Sequence, residues 1–213
     1  MSDVVKWLNN LNHKHMVLGY GSLLSKDSRE RFSNIYTQSI PVNVKGFERG
    51  WITRSEQEQQ TYVGAIRNRD KQLNAHLIPT DINPGLQERE KDYRFIQVAL
   101  HDIHLNRSTS LAREEQVAIE NALAPFTFWM CETLAVQPAS HRYPVHQTYI
   151  DTCISGCLEQ GGEVEAQAFI AQTSFWRHNR VNDRRSPKYP RAAVVDIANQ
   201  QKIDELLVGT ESM

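Results

Sequence analysis

The sequence predicts an α+β domain built on a mixed or antiparallel, barrel-like sheet with helices around it. Segments with strand character crowd the first half of the chain and helical segments the second, and the strand–helix alternation of a doubly wound fold is missing. At 213 residues there is room for one well-packed core, and two ordinary domains are not the default. No repeat, low-complexity tract or long linker divides the chain. A single domain over residues 1–213 is therefore expected, with residues 1–14 as a short helical extension.

Taken in order, Val4, Val5, Trp7, Leu8 and Leu11 have approximate helical spacing, which predicts a short amphipathic helix. Met16 to Tyr20 is an apolar run ending in a Gly-Ser turn and reads as a buried strand. Ser25 to Phe32 reads as a helix. Strands are expected at Ile40 to Phe47, Thr61 to Ile66 and Leu73 to Pro79, each rich in β-branched or alternating apolar residues and bounded by turn formers. Asn83-Pro84 starts a short helix through Glu90, because the amide can cap free N–H groups and proline fits the first helical position. Tyr93 to His101 alternates with the period of a strand. Helices follow at Leu111 to Leu123, Pro144 to Glu159 and Glu163 to Trp176, with a strand at Phe126 to Leu134. A strand at Ala192 to Ile197 and a helix at Lys202 to Val208 close the chain.

Composition narrows the function. With 24 basic and 25 acidic residues the formal net charge is −1, so no long-range field favours nucleic acid or an anionic membrane. A small ligand is expected. The N-terminal residues lack a secretory pattern and no segment has the apolar length of a membrane span, which predicts a cytoplasmic protein. Three cysteines are an odd count, and Cys153 and Cys157 stand four apart, where a helix puts both on one buried face; reduced core thiols are expected.

Two features bear chemistry. In Gly19-Tyr20-Gly21-Ser22-Leu23 a buried strand runs into a helix, which gathers unpaired backbone N–H groups around one small concavity suited to carboxylates or oxyanions. The glycines let a ligand approach the backbone, although Gly-Ser also serves in ordinary tight turns. The second feature is Glu90, in Gln87-Glu88-Arg89-Glu90-Lys91-Asp92. Such a charge run is commonly a solvated helix face, but Leu86 and Tyr93 share the side of Glu90 and would turn it inward. A carboxylate among apolar neighbours gains proton affinity, as a general base near neutral pH requires.

In this order and spacing the two features resemble the γ-glutamylcyclotransferase family, including its ChaC-like and AIG2-like branches. The family's first strand ends in Tyr-Gly-Ser followed by Leu or Asn-Leu, here Tyr20 to Leu23. A Leu-Asp-x-x-Glu-like stretch leads into a Tyr-containing strand, here Leu86 to Glu90 and Tyr93 to Val98. A late helix opens on a Tyr with a Gly seven residues on, here Tyr149 and Gly156. The shared marks cover roughly Met16 to Gly156. Gln87 stands where the family commonly has Asp, and Gln147 where it often has Pro.

The resemblance implies a mixed barrel-like α/β domain without metal or organic cofactor, with a γ-glutamyl compound as its small-molecule partner. It implies Glu90 as catalytic acid/base, Gly19, Tyr20, Gly21, Ser22 and Leu23 as the cradle for the glutamyl part, and Tyr149 as a hydrogen-bonding partner of it. The implied reaction is cyclisation of a γ-glutamyl amide to 5-oxoproline with release of an amine or amino acid. Other readings are a non-catalytic binding module with the same cradle, and an acyl-transfer variant acting on a tailored amide.

Beyond Gly156, the run Asn182 to Arg191 has two prolines and several arginines. It reads either as a clamp for a substrate carboxylate or, preferably, as a loop over a structural Asp183–Arg ion pair. His101 and His104, three apart on an expected strand, would face opposite sides and so are poorly placed to share a metal. His141 and His146 lie scattered in a loop. No nucleophile elbow or phosphate-binding loop is present.

Overall fold

The computed structural model describes residues 3–81, 84–105 and 112–210. Helix α1 (Asp3–Asn9) precedes strand β1 (His15–Gly19), a 3₁₀ turn at Ser22–Leu24 and helix α2 (Lys26–Ser33). The long strands β2 (Ile40–Ser55) and β3 (Gln60–Pro79) follow, then α3 (Pro84–Arg89), β4 (Tyr93–Val98) and β5 (Ile103–Leu105). Helix α4 (Arg113–Leu123), β6 (Thr127–Thr133) and β7 (Val145–His146) lead to α5 (Gln147–Ala171), β8 (Thr173–Ser174), β9 (Arg180–Val181) and α6 (Ile197–Leu206).

The main sheet runs β4-β6-β1-β3-β2-β5, with β8 attached to β2. It curls into a half-barrel. Within it all pairs are antiparallel except β1–β6 and β2–β8, and β7 pairs with β9 in a separate parallel two-stranded sheet. The α+β class with a mixed, barrel-like sheet is thus what the chain adopts. Its concave side is filled by Val42, Val44, Phe47, Trp51, Leu73, Leu77 and Met130 together with Ile150, Ile154 and Phe169 of α5, all at most 1% exposed.

The strands expected at Thr61 to Ile66 and Leu73 to Pro79 are the two halves of β3. Between them the polar run Asn68 to Lys71 has no pairing partner in β2 and bulges out, with the Asp70 N–H on Asn68 Oδ1 at 3.1 Å, while the pairing with β2 resumes on either side at Arg67 and Gln72. There Gly46, at φ 83°, stands alone between Lys45 and Phe47 while β3 carries the extra residues, an irregularity of the kind glycine permits. Strand β2 likewise runs past Phe47, where it was expected to end, to Ser55.

Several other boundaries move. The Tyr93 strand stops at Val98, and His101 falls on a 3₁₀ turn at Leu100–Asp102 while His104 lies on β5; the two histidines therefore do not share one strand. The helices expected at Pro144 to Glu159 and Glu163 to Trp176 are one element, α5, broken at Gly162 (φ 65°). It ends at Ala171 because Thr173 and Ser174 leave to pair with Arg49 and Gly50 of β2. Ala192 to Asp196 forms no strand, and α6 begins earlier than expected, where the Asp196 carboxylate accepts the Asn199 N–H at 2.7 Å. The expected cap Asn83 and helix start Leu111 lie outside the described residues.

Cys131, Cys153 and Cys157 are buried free thiols. Among the described residues, no helix is long and apolar enough to cross a membrane.

Candidate active site

Strand β1 is buried between β3 and β6 and stops at Gly19, and the 3₁₀ turn then sends the chain off toward α2. Within the turn, Leu24 N–H and Ser25 N–H bond back to the Gly21 and Ser22 carbonyls at 2.9 and 3.3 Å. The amides that precede them stand at the open start of the turn, where a helical turn leaves its donors free. Glycine is required here by packing. A Cβ on Gly19 would lie 2.7 Å from Leu23 Cβ, and one on Gly21 would lie 2.7 Å from Val63 Cγ2 and 3.0 Å from Tyr149 Oη. Gly156 plays the matching part on α5: any side chain there would strike the Leu24 and Ser25 backbone. The helix can thus lie against the turn and bring Tyr149 to it.

One cleft of about 430 Å³, counting the space open to solvent, is lined by Gly19, Tyr20, Gly21, Ser22, Leu23, Glu90 and Tyr149. Every residue that the resemblance assigns to the site therefore borders the same cleft. Tyr149 Oη accepts the Val63 N–H at 3.3 Å, and its ring packs edge-on against Trp51 and Tyr62. Tyr20 Oη donates to the Cys131 carbonyl at 2.7 Å, and Tyr93 Oη to the Val63 carbonyl at 2.6 Å.

Glu90 sits at the end of α3, with its N–H on the Leu86 carbonyl at 3.0 Å and its own carbonyl receiving the Tyr93 N–H at 3.0 Å. That turn aims the side chain inward, leaving it 12% exposed. Burial raises the proton affinity of its carboxyl above the ordinary carboxylate value, against the opposing pull of Arg89 and Arg191. Arg89 Nε lies 3.6 Å from Glu90 Oε1. The Cys131 thiol beside it is pushed well above its usual value by burial and by the Glu90 charge, so it remains protonated.

Three buried arginines brace the cradle, and sequence reasoning missed all of them. Arg89 donates to Ser22 Oγ (2.7 Å), Ser28 Oγ (3.0 Å), Ser33 Oγ (2.8 Å) and the Ser28 carbonyl (3.3 Å), tying α3 to the turn and to α2. Arg29 donates to the Leu23 and Leu24 carbonyls at 2.8 and 3.0 Å. Arg49 reaches the Tyr20 carbonyl at 3.1 Å, the Asn74 carbonyl at 2.9 Å and Asn74 Oδ1 at 2.7 Å, with its guanidinium 3.9 Å above the Phe169 ring. Burial lowers both Arg29 and Arg49 to about 10, and both remain cations at neutral pH.

The C-terminal segment departs from the preferred reading. Asp183 accepts Thr148 N–H (2.8 Å), Thr148 Oγ1–H (2.7 Å) and Lys188 N–H (2.7 Å), so it serves the first turn of α5 where an arginine partner was expected. Its neighbour Arg184 makes the ion pairs instead, at 2.7 Å to both Asp151 and Asp204. Two further residues of the segment, Tyr189 and Arg191, enter the cleft wall. Among the described residues no three His, Cys, Asp or Glu side chains converge as metal ligands.

No protein-family model matches the chain, and no curated protein sequence matches it. Solved structures do. A structure described as gamma-glutamyl cyclotransferase aligns over 90% of this chain and 98% of its own, at 11% identity and a TM-score of 0.53. An uncharacterized human protein aligns over 89% of this chain and 97% of its own, at 11% identity and 0.50. YkqA from Bacillus subtilis aligns over 75% of this chain at 13% identity and 0.52, the match spanning 53% of the YkqA chain. The chain has the fold of gamma-glutamyl cyclotransferase, the fold implied by the Tyr20-Gly21-Ser22-Leu23 resemblance.

Proposed function

We propose that the protein cyclises a γ-glutamyl amide to 5-oxoproline and releases the attached amine or amino acid. The observation that carries this reading is the position of Glu90: a buried carboxyl of raised proton affinity, in one cleft with the backbone of Gly19 to Leu23 and with Tyr149. The reaction is intramolecular, so most of the catalytic task is to hold the substrate folded back on itself with its amine against its own γ-carbonyl.

Glu90 takes a proton from the substrate ammonium, and the freed amine attacks the γ-carbonyl carbon. The carbonyl π electrons move to oxygen, where the amides of the turn stabilise the tetrahedral oxyanion. Collapse re-forms the carbonyl and breaks the bond to the departing nitrogen, which receives its proton from Glu90. The ring nitrogen sheds a second proton, and the released amine ends as an ammonium. One carboxyl thus acts as base and then as acid, for which a proton affinity displaced toward neutral pH is suited. Tyr149, buried and with its phenol pushed well above its usual value by desolvation, stays protonated and offers a neutral hydrogen bond beside Gly21.

Release of 5-oxoproline from γ-glutamyl dipeptides, γ-glutamyl amines and glutathione tests the reading directly. Turnover of at least one by the wild-type protein and its loss in Glu90→Gln are expected. A protein that binds these compounds and returns them unchanged is a binding module.

A further inference from the structure

Tyr62, Tyr189 and Arg191 stand together in the cleft wall, and this part of it is short of hydrogen bonds. Tyr62 and Tyr189 are 4% and 3% exposed, and neither Tyr62 Oη nor Tyr189 Oη has a hydrogen-bond partner. Arg191 Nε is also buried without a bond of full geometry, although the Tyr189 phenol and the guanidinium lie close enough to attract each other by charge and by a weak hydrogen bond. Leaving a polar group buried and unpaired is costly, and three on one wall of one cleft call for a shared explanation. The guanidinium N–H can only donate and each phenol hydroxyl is able to donate, so one ligand group rich in acceptors meets all three at once, and the fixed cation favours one that is negatively charged.

The arrangement is also held in place. Arg191 Nη1 is fixed by Glu58 Oε1 at 3.1 Å, and its Cζ lies 5.5 and 5.2 Å from the Tyr62 and Tyr189 ring centres. The two tyrosine rings pack edge-on with centres 5.6 Å apart. The cation cannot swing out to solvent without leaving both rings and its carboxylate partner.

We propose that Tyr62, Tyr189 and Arg191 form a subsite for a carboxylate of the substrate. The inference rests on the cyclisation reading for the identity of that substrate. A γ-glutamyl peptide has two such groups, the α-carboxylate of the glutamyl unit and the carboxylate of the departing amino acid. The subsite has a consequence for Glu90. Arg191 is one of the cations that hold the Glu90 proton affinity down, so a bound anion there offsets that pull and moves Glu90 further toward neutral pH.

The test measures binding by calorimetry in the Glu90→Gln background, so that turnover does not interfere, and follows wild-type turnover of γ-glutamyl-alanine separately. Three probes are used: γ-glutamyl-alanine with both carboxylates, γ-glutamyl ethylamide with the α-carboxylate alone, and 4-aminobutanoyl-alanine with the departing carboxylate alone. Arg191→Gln is expected to weaken binding on the order of 10- to 100-fold for the two probes that carry the recognised carboxylate and to spare the one that lacks it. Tyr62→Phe, which keeps the ring and the Arg191–Glu58 pair, is expected to weaken the same probes about 5-fold. Which pair of probes responds identifies the carboxylate. Equal weakening of all three, no weakening, or no binding of any probe to the parent overturns the subsite. Carboxylate-dependent binding without wild-type turnover would refute the cyclase reading and leave the subsite standing.

Discussion

Replacing Glu90 by glutamine separates a catalytic carboxyl from a structural one, because the two roles move activity and stability in opposite directions. The side chain is 12% exposed and its carboxyl is raised, with burial as the largest cause and Arg89 and Arg191 opposing. The folded protein therefore binds this proton more tightly than the unfolded chain does. Stability from this group is complete below the unfolded carboxylate value and is lost as pH rises through the higher folded one. Wherever Glu90 is ionised it is thus a burden on the fold, about 1.4 kcal/mol for each tenfold difference in proton affinity. Glutamine, of similar shape and always neutral, removes it. Glu90→Gln is expected to match or exceed the wild-type melting temperature at neutral pH, by about 2–4 °C per kcal/mol for a chain of this size. The advantage should fade as the medium is acidified. Turnover to 5-oxoproline should fall on the order of 10²- to 10⁴-fold. Thermal melts across the acid and neutral range, beside an initial-rate assay, measure both. A variant that keeps full activity, or one that melts lower than wild type only at neutral pH, would show the argument about this carboxyl to be wrong.

Further outcomes follow from the bracing around the cleft. Arg89→Gln strips donors from Ser22, Ser28 and Ser33 and should cost about 2–4 kcal/mol in urea unfolding, with KM for the substrate rising as the turn loosens. Gly156→Ala sets a methyl group against the Leu24 and Ser25 backbone; a loss of about 1–3 kcal/mol is expected, with weakened substrate binding as α5 moves off the turn. Asp183 is lowered although burial, its largest influence, acts to raise it, because hydrogen bonds from Lys188 and Thr148 prevail. Its contribution is therefore present above the unfolded carboxylate value and lost as pH falls through the lower folded one. Asp183→Asn should be less stable than wild type by about 1 kcal/mol at neutral pH, with the gap closing in acid.

Much of the fold could be read from local signals. The β1 run, the Ser25 cap of α2, whose hydroxyl accepts the Ser28 N–H at 3.4 Å, and the buried face of α5 all announce themselves by pattern. The errors arise where a partner strand or a distant group overrides that pattern. Strand β2 looks finished at Phe47 until β3 is known to run alongside it as far as Ser55, and Ala192 to Asp196 looks like a strand although no neighbour pairs with it. The candidate site shows the same division. The Tyr20 turn and Glu90 stand out through their order along the chain. Arg29, Arg49 and Arg89 do not, because a charged residue in a polar stretch carries no mark of the carbonyls and hydroxyls it will meet when buried. The Asp183 partner was misjudged for the same reason: Thr148 lies 35 positions away.

The parallel pairing of β1 with β6 sets an order of events during synthesis. His15 to Val17 lie beside Thr127 to Trp129, and the Tyr20 phenol reaches the Cys131 carbonyl across 111 positions. The β2–β3 hairpin closes early, since its strands are neighbours in sequence, but β1 must wait on one side for an edge that the ribosome has not yet made. The strand that leads into the Tyr20 turn is made long before the strand that secures it. A nascent chain released before β6 would hold the residues of the cradle without the walls that give it shape.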